Sequence, residues 1–350
     1  MNEPTIDLRS DTITRPTAAM LKAMHEAKTG DDVFAEDPAA VELQERCAAM
    51  FGHEAALYCP SGTMTNQIAI NVHVRPGDEV VCDRKSHIYN YEGGGIARNS
   101  GASVRLLEGD NGRFQWSDVI GEINPSDSHY ARTALVSVED TCNRGGGSVW
   151  KIADLLAIQS GCHAANLPLH LDGARVWNAL IARNNDTVPP DEVWMNYGRM
   201  FHSISVCFSK GLGAPVGSVL IGSKGFIEEA HRTRKVLGGG MRQIGGLAGA
   251  CLHALDHELP RMHNDHVHAQ ALAATLAELA CVASIEPVET NIVIFSLKAH
   301  VSADQFVAWA ATQGIACFPF GGQKVRFVTH RDVTAEQVQR ACSLLGRADF

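Results

Sequence analysis

The chain has 350 residues, more than a single hydrophobic core usually holds, and this length predicts two domains. It is 45% hydrophobic and 20% charged, an ordinary composition for a globular enzyme. The net charge of −9 and the lack of a basic stripe argue against nucleic acid or an anionic membrane as a partner. No apolar run approaches the ~18 residues that a membrane span needs, and the first residues lack the features of a signal peptide.

The ten cysteines are scattered and form no Cys-x-x-Cys pair. Several lie inside apolar runs, which favours reduced, buried thiols over disulfides or a zinc site. We therefore expect a cytoplasmic protein without a bound metal. His263, His266 and His268 fall on a predicted helix, where we expect a solvated face rather than a metal site.

Helical and strand patterns alternate from about residue 35 to residue 235. Asp37-Pro38 is a helix-start signal and predicts a helix over 39–51. Seven short apolar runs predict strands at 55–58, 79–82, 103–106, 134–138, 167–171, 203–208 and 218–221. Strands that alternate with helices build a mainly parallel sheet, so we predict an α/β fold with seven strands. The last strand follows a turn too short for a parallel crossover and is expected to be antiparallel.

After residue 245 the pattern changes. It predicts helices at 245–258, 266–280, 303–313 and 335–345, with strands at 291–297 and 324–329. We therefore predict a large domain over 1–245, to whose site the N-terminal segment contributes, and a small α+β domain over 246–350.

Three charged residues follow strand-like runs. Lys210 ends the run 203–208, while Asp172 and Arg175 follow the run 167–171. These residue types suit a pyridoxal phosphate site, because a lysine amine holds the aldehyde as a Schiff base and an aspartate keeps the pyridine nitrogen protonated. Read singly, each is equally well a surface charge at a strand end.

Further residues fit a cofactor site. Gly62 and Thr63 stand between a predicted strand and a helix, where free N–H groups bind phosphate. Ser209 would add another phosphate contact. His87 follows the strand 79–82, so it lies beyond the carboxyl end of the sheet, where ligands bind in open α/β folds. Its ring is a candidate to cover the pyridine ring.

These motifs, and others in order along nearly the whole chain, carry a family resemblance. The matching stretches are 6–12 (IDLRSDT), 30–33 (GDDV), 36–38 (EDP), 60–64 (PSGTM), 86–87 (SH), 143–147 (NRGGG), 172–175 (DGAR), 208–212 (FSKGL), 214–218 (APVGS), 238–243 (GGGMRQ) and 326–330 (RFVTH). The chain resembles the low-specificity L-threonine aldolases, within the β-eliminating lyase group of fold-type-I pyridoxal phosphate enzymes. The resemblance implies retro-aldol cleavage of L-threonine, L-allo-threonine or related β-hydroxy-α-amino acids, such as β-phenylserine, to glycine and an aldehyde.

The resemblance also implies roles for individual residues. Lys210 would bind the cofactor aldehyde, Asp172 the pyridine nitrogen and Arg175 the phenolic oxygen or the substrate carboxylate. The other roles fall on His87 (stacking on the ring), Gly62 and Thr63 (phosphate), Ser10 and Arg326 (substrate carboxylate), His129 (β-hydroxyl), and Lys235 and Arg242 (facing the site, from a neighbouring subunit). The base for the hydroxyl proton stays open between His129, His87 and water. A homotetramer built from two dimers is implied.

The chain departs from the family pattern at Phe34, Ala35, Ala131 and Cys142, where tyrosine, glycine, proline and histidine are usual. Two other classes of function remain. One is another reaction on the same cofactor: β-elimination, racemisation or transamination. The other is an α/β protein that binds a phosphate ligand without catalysis. A dinucleotide-binding dehydrogenase is disfavoured, because no Gly-x-Gly-x-x-Gly follows a first strand.

Overall fold

The computed structural model describes residues 5–350. Its strands are β1 (Ile6–Asp7), β2 (Ala55–Cys59), β3 (Glu79–Asp83), β4 (Ser103–Leu107), β5 (Thr133–Glu139), β6 (Leu169–Gly173), β7 (Ser203–Cys207), β8 (Ser218–Gly222), β9 (Val282–Ile285), β10 (Ile292–Leu297), β11 (Ile315–Ala316), β12 (Phe318–Pro319) and β13 (Lys324–Val328). Its α-helices are α1 (Ala18–Glu26), α2 (Pro38–Met50), α3 (Gly62–His73), α4 (His87–Asn90), α5 (Gly95–Ser100), α6 (Trp116–Ile120), α7 (Ile152–Ala164), α8 (Val176–Arg183), α9 (Asp191–Gly198), α10 (Lys224–Val236), α11 (Gly245–His257), α12 (His263–Ala277), α13 (Ala303–Thr312) and α14 (Ala335–Leu345).

The large sheet has the order β2-β8-β7-β6-β5-β3-β4. The predicted seven strands are confirmed, and β8 is antiparallel to β7 as expected. β6 starts two residues later than predicted, at Leu169. Pro168 precedes it and has no N–H to donate to a central ladder. β6 also ends two residues later than predicted, at Gly173, while the ends of the other six strands shift by one residue or none, so the pattern placed this sheet closely.

The sheet separates an extensive apolar core on one face from smaller clusters on the other. The alternate residues Leu169 and Leu171 of β6 point into the main core together with the aromatic group Phe51, Trp177 and Trp194. His170 and Asp172 point to the opposite face, because successive side chains of a strand alternate. This face carries the polar residues of the site.

A second apolar core surrounds the sheet β12-β13-β10-β9, which is antiparallel. β1 joins this core by pairing in parallel with β11, a contact that the sequence analysis did not predict. α11 packs instead with the main core, through residues such as Cys251. The predicted domain boundary at residue 245 stays a prediction, because α11 follows it but packs in the main core, and β1 precedes it but packs in the second core.

One expectation about a single position changes with the structure. His266 is buried, and its Nδ1 lies 2.6 Å from Asp186 Oδ1, so the expectation of a solvated helix face is wrong for this histidine. Among residues 5–350, no helix is long and apolar enough to cross a membrane.

Ala35 occupies a left-handed backbone conformation, with a φ of 57°, at the end of the 3₁₀ turn Asp32–Phe34. A side chain at such a φ costs roughly 1–2 kcal/mol for an L-residue, and glycine avoids this cost. The structure therefore explains in physical terms why glycine is the usual residue here. The neighbouring Phe34 is 69% exposed, so a hydroxyl on its ring would reach solvent or another subunit.

We expect Ala35→Gly to raise the free energy of unfolding by about 0.5–1 kcal/mol, because strain relief exceeds the extra entropy of the unfolded chain. The matched control is Ala49→Gly in α2, an exposed helical position, which should lose about 1 kcal/mol. Urea unfolding at pH 7 measures both. Equal losses in the two variants would contradict the assignment of strain to Ala35.

Candidate active site

A pocket of about 300 Å³ lies at the carboxyl edge of the large sheet. It is lined by Thr12, Thr14, Ser61, Gly62, Thr63, Asn66, His87, Asp172, Ala174, Cys207, Ser209, Lys210, Ala214 and Pro215. Because parallel strands share one carboxyl edge, side chains that are far apart in sequence meet there. Of the predicted cofactor residues, the pocket brings together Lys210, Asp172, His87, Gly62, Thr63 and Ser209.

Lys210 stands two residues beyond Phe208, where β7 turns toward β8. The Lys210 carbonyl accepts a hydrogen bond from Thr14 Oγ1 at 3.0 Å, which ties this turn to the N-terminal segment. The ammonium group lies 3.5 Å from Cys207 Sγ, and no carboxylate within the described chain pairs with it. An unpaired amine inside a pocket is available to react with an aldehyde.

Asp172 is 2% exposed at the end of β6. Its Oδ2 accepts from Asn66 Nδ2 at 2.9 Å, and its Oδ1 accepts from the Ala174 N–H at 3.2 Å. Its hydrogen bonds within residues 5–350 therefore come from neutral N–H donors. A buried carboxylate without a paired cation favours a positively charged ligand atom in the pocket.

The His87 ring is held by Glu92, a buried residue of the loop that follows α4. His87 Nδ1 lies 2.9 Å from Glu92 Oε1, so Nδ1 carries the hydrogen of this bond and Nε2 takes no part in it. Burial lowers the pKa of His87, but the Glu92 hydrogen bond and the charges of Asp172 and Glu139 outweigh it and raise that pKa above its ordinary value.

The beginning of α3 has the donors that a phosphate site needs. Ser61 Oγ accepts a hydrogen bond from the Met64 N–H. The N–H groups of Gly62 and Thr63 belong to the first turn, so they have no acceptor within the helix. A Cβ added to Gly62 would lie 2.5 Å from Cys207 Sγ, so only glycine fits here without a shift. Together with the free amine of Lys210, this shape and donor set fit a phosphorylated aldehyde such as pyridoxal phosphate.

Arg175 forms a buried, bidentate pair with Asp11, with 2.7 Å between Nε and Oδ2 and 2.7 Å between Nη2 and Oδ1. The sequence placed Arg175 near the cofactor or the substrate but did not identify this partner. Burial raises the pKa of Asp11, but the Arg175 guanidinium outweighs it and lowers that pKa to about 2. The pair fixes the N-terminal segment, and with it Thr12 and Thr14, against the pocket.

Arg326 enters from β13 of the small sheet. Its Nη1 donates to Asn143 Oδ1 at 2.8 Å and its Nη2 to the Arg9 carbonyl at 3.2 Å, while its Nε is buried without a partner among the described residues. Burial, and the nearby charge of Arg175, lower the pKa of Arg326 to about 10, so it stays cationic at neutral pH. A buried donor without a protein acceptor is suited to bind an anion.

Glu139 links His87 to Asn143, which is the partner of Arg326. Its Oε2 accepts from the His87 N–H at 2.7 Å and its Oε1 from the Asn143 N–H at 2.9 Å. Burial and the charge of Asp172 raise the pKa of Glu139 to about 7. The sequence analysis missed Glu139, Glu92 and Asn66. Only Glu139 had a signal in the sequence: it is a carboxylate at the end of an apolar strand, the same pattern that identified Asp172.

Six predicted site residues do not line this pocket: Arg175 and Arg326, described above, and Ser10, His129, Lys235 and Arg242. Ser10 Oγ lies 2.8 Å from Thr12 Oγ1 and caps the turn at Asp11–Ile13. His129 precedes β5, at the opposite edge of the sheet, and is 85% exposed beside Asp127. Lys235 is exposed on α10, and the exposed Arg242 pairs with Asp31 at 2.7 Å. His129 does not line this pocket, and its contact with the β-hydroxyl stays a prediction.

Cys142, where the family usually has histidine, is buried against Gly112 and does not line the pocket. All ten cysteines are free, and Cys142 is among the nine that are buried.

Comparison with known sequences identifies the class. The sequence pattern of the family described as "Beta-eliminating lyase" matches residues 7–300, and the chain belongs to this family. Low-specificity L-threonine aldolase 1 of Arabidopsis thaliana is 38% identical over 98% of this chain and 96% of its own length. Low specificity L-threonine aldolase of Escherichia coli strain K12 is 37% identical over 95% of this chain and 96% of its own.

Solved structures support the fold. A Leishmania major threonine aldolase superposes with a TM-score of 0.82 at 19% identity, covering 98% of this chain and 99% of its own. A putative L-allo-threonine aldolase of Listeria monocytogenes gives a TM-score of 0.80 at 20% identity, covering 98% and 96%. The predicted family and the predicted fold are confirmed, and pyridoxal phosphate is the cofactor that goes with them.

We expect Asp11→Asn to lower the free energy of unfolding at pH 7 by about 3–5 kcal/mol, because Arg175 is left buried and unpaired. Since the Asp11 pKa is lower in the folded chain than its ordinary value, the pair stabilises the fold above about pH 4 and loses this contribution as the pH falls toward 2. The gap between wild type and variant should therefore narrow below pH 4. Chemical unfolding between pH 7 and pH 2.5 measures it.

The matched control is Asp110→Asn, which breaks an exposed pair with Arg113 and should cost at most about 1 kcal/mol. A similar loss in both variants would contradict the structural role of the Asp11–Arg175 pair.

Proposed function

We propose that this chain is a pyridoxal-phosphate-dependent L-threonine aldolase. It cleaves L-threonine, L-allo-threonine and related β-hydroxy-α-amino acids, including β-phenylserine, to glycine and an aldehyde. The observation that carries the proposal is one pocket that holds an unpaired lysine amine, a buried carboxylate without a paired cation and the free N–H groups of a helix start. The relatives named threonine aldolase match nearly the whole chain.

When bound, pyridoxal phosphate supplies an electron sink that makes cleavage of the Cα–Cβ bond possible. The residues that would hold it have separate tasks. Lys210 binds the aldehyde carbon, and Asp172 keeps a proton on the ring nitrogen. Gly62, Thr63 and Ser209 would bind the phosphate, and the His87 ring would cover the pyridine ring.

The substrate carboxylate is assigned to Arg326. Asn143 holds one of its terminal nitrogens, and Nε keeps a free donor for the anion. Arg175 holds the N-terminal segment, to which Ser10 belongs, through its buried pair with Asp11. Anion binding by the Arg326 guanidinium would position the amino acid relative to Lys210.

His87 is the candidate within the chain to move the β-hydroxyl proton. Glu92 fixes its Nδ1–H, which leaves Nε2 as the nitrogen that can exchange a proton. His129, which is exposed beside Asp127, and a bound water are the other candidates for this proton.

The proposed assembly is a homotetramer. An exposed patch formed by Phe34, Val236, Lys235 and Arg242 supports it: Phe34 is 69% and Val236 is 85% exposed, and Lys235 and Arg242 stand beside them. Large exposed apolar side chains rimmed by charges are typical of subunit contacts. A cytoplasmic location is also proposed, since ten free cysteines fit a reducing compartment.

The activity is tested with a panel of β-hydroxy-α-amino acids in both Cβ configurations, with all products identified. We expect glycine and the matching aldehyde. Pyruvate with ammonia, or the D-amino acid, would show instead that the same cofactor serves elimination or racemisation. Absence of any visible absorbance after addition of pyridoxal phosphate would favour a non-catalytic phosphate-binding protein.

We expect Lys210→Ala to abolish turnover and the visible absorbance of the bound cofactor, because the residues that line the pocket then include no lysine to react with the aldehyde. In the wild type, borohydride reduction followed by peptide mass spectrometry should find the cofactor on Lys210. Finding it on Lys235 would refute this assignment.

We expect Arg326→Ala to keep the visible absorbance but to lose about a hundredfold or more in kcat/KM, since hydrogen bonds to a charged group contribute roughly 1.5–3 kcal/mol each. Steady-state kinetics and a spectrum of the same sample measure both. The control is Lys324→Ala on the same strand, whose amine pairs with Glu286 away from the pocket. Unchanged kinetics in Arg326→Ala would show an ordinary surface arginine.

A further inference from the structure

A row of buried polar side chains lies behind Asp172, between α3 and strands β6 and β7. His170 and Asp172 share one face of β6, and the register places Ser203 of β7 opposite His170. Asn66 and His73 are seven residues apart in α3 and therefore share one face of that helix. His170 and Ser203 are fully buried, and Asn66 is 2% exposed. None of these four residues is a predicted site residue.

The side chains form one continuous chain of hydrogen bonds. Asn66 Nδ2 lies 2.9 Å from Asp172 Oδ2 and 2.9 Å from Glu92 Oε1. Asn66 Oδ1 lies 3.1 Å from His170 Nε2. Ser203 Oγ lies 2.8 Å from His170 Nδ1 and 2.8 Å from His73 Nε2. The chain runs from His73 to the carboxylate that faces the pocket.

The direction of each hydrogen bond follows from the carboxylates. Unprotonated carboxylate oxygens only accept, so Asn66 directs its two N–H groups to Asp172 and Glu92 and its oxygen to His170. His170 must then carry its hydrogen on Nε2, and its Nδ1 accepts from the Ser203 hydroxyl. Burial lowers the pKa of His170 to about 4 and that of His73 to about 3, so each ring is neutral with one N–H.

We propose that His170 is a positioning residue for Asp172, acting through Asn66. Its Nε2–H fixes the orientation of the Asn66 amide, and the amide fixes the Asp172 carboxylate where the ring nitrogen of the cofactor binds. The inference rests on the proposed role of Asp172 and deepens it. Its consequence is a preference of the pocket for a ring that carries a nitrogen opposite Asp172.

The physical reason is the cost of a buried amide oxygen without a donor. Without an N–H at position 170, the Asn66 oxygen loses its partner, and the amide shifts to recover one, away from the position in which its N–H groups meet both carboxylates. Asp172 then loses a hydrogen bond and a fixed position. A residue that only fills space in the core would not produce this selective effect, because it would alter the binding of every ligand of the same shape equally.

The test compares two ligands: pyridoxal 5′-phosphate, and its 1-deaza analogue, in which carbon replaces the ring nitrogen. Equilibrium titration of the cofactor-free protein gives the Kd of each. In the wild type we expect the natural cofactor to bind at least about tenfold more tightly, as expected for loss of a hydrogen bond to a charged group. We expect His170→Leu to reduce this preference about tenfold while the Kd of the deaza analogue stays within about threefold.

Rescue and control variants sharpen the comparison. His170→Gln keeps an N–H donor toward Asn66 and should retain the preference within about threefold. His53→Leu removes another partly buried histidine, whose Nε2 lies 3.1 Å from the Gly198 carbonyl outside this chain of hydrogen bonds, and should leave the preference unchanged. If His170→Leu does not fold, His170→Phe, which fills similar space and also lacks an N–H donor, makes the same test, and the preference should fall.

The outcomes separate the inference from the function on which it rests. A wild type without any preference would refute the role of Asp172, and with it the inference. A wild-type preference that survives in His170→Leu, or in His170→Phe where that variant replaces it, would overturn the inference alone. Equal weakening of both ligands in His170→Leu would also overturn it, since that result indicates a purely structural role.

Discussion

The arrangement of the site depends on one buried carboxylate that the chain leaves without a cation of its own. Asp172 is 2% exposed and receives hydrogen bonds from an amide and a backbone N–H. Asp11, equally buried nearby, is neutralised by Arg175. A buried negative charge costs several kcal/mol unless it is paired. The fold therefore stabilises Asp172 with neutral donors, without an ion pair among the described residues, and this difference distinguishes it from Asp11.

The residues proposed to bind the cofactor and the arginine proposed to bind the substrate lie in different parts of the fold. The helix start at Gly62, Asp172 and Lys210 belong to the large sheet, whereas Arg326 reaches over from β13 of the small sheet. Glu139 joins them, since its two oxygens hold the backbone of His87 and of Asn143, and Asn143 holds Arg326. The relative position of cofactor and substrate therefore depends on a few hydrogen bonds between two packed cores.

The sequence predicted those parts of the site that a local pattern encodes. Lys210, Asp172 and Gly62 were found because each ends a strand-like run or begins a helix, and the seven strands were found because short apolar runs alternate with helices. The pairing of β1 with β11 joins segments about 300 residues apart, and no local pattern records it. Asn66 and His170 were missed for the same reason, since each is an ordinary residue of its own element until α3 packs on β6. His129 was placed near the substrate by resemblance alone, and the structure puts it at the other edge of the sheet.

The pairing of β1 with β11 has a consequence for synthesis on the ribosome. Residues 6–7 leave the ribosome early, but their partners at 315–316 are made only near the end of translation. The large sheet is complete once residue 222 has emerged, and domains generally fold as units during synthesis. The N-terminal segment, which carries Asp11 and Thr12, therefore lacks the partner of β1 until β11 has been made. A nascent chain can form the large sheet, with the start of α3 beside it, well before the pairing with β11 fixes the N-terminal segment.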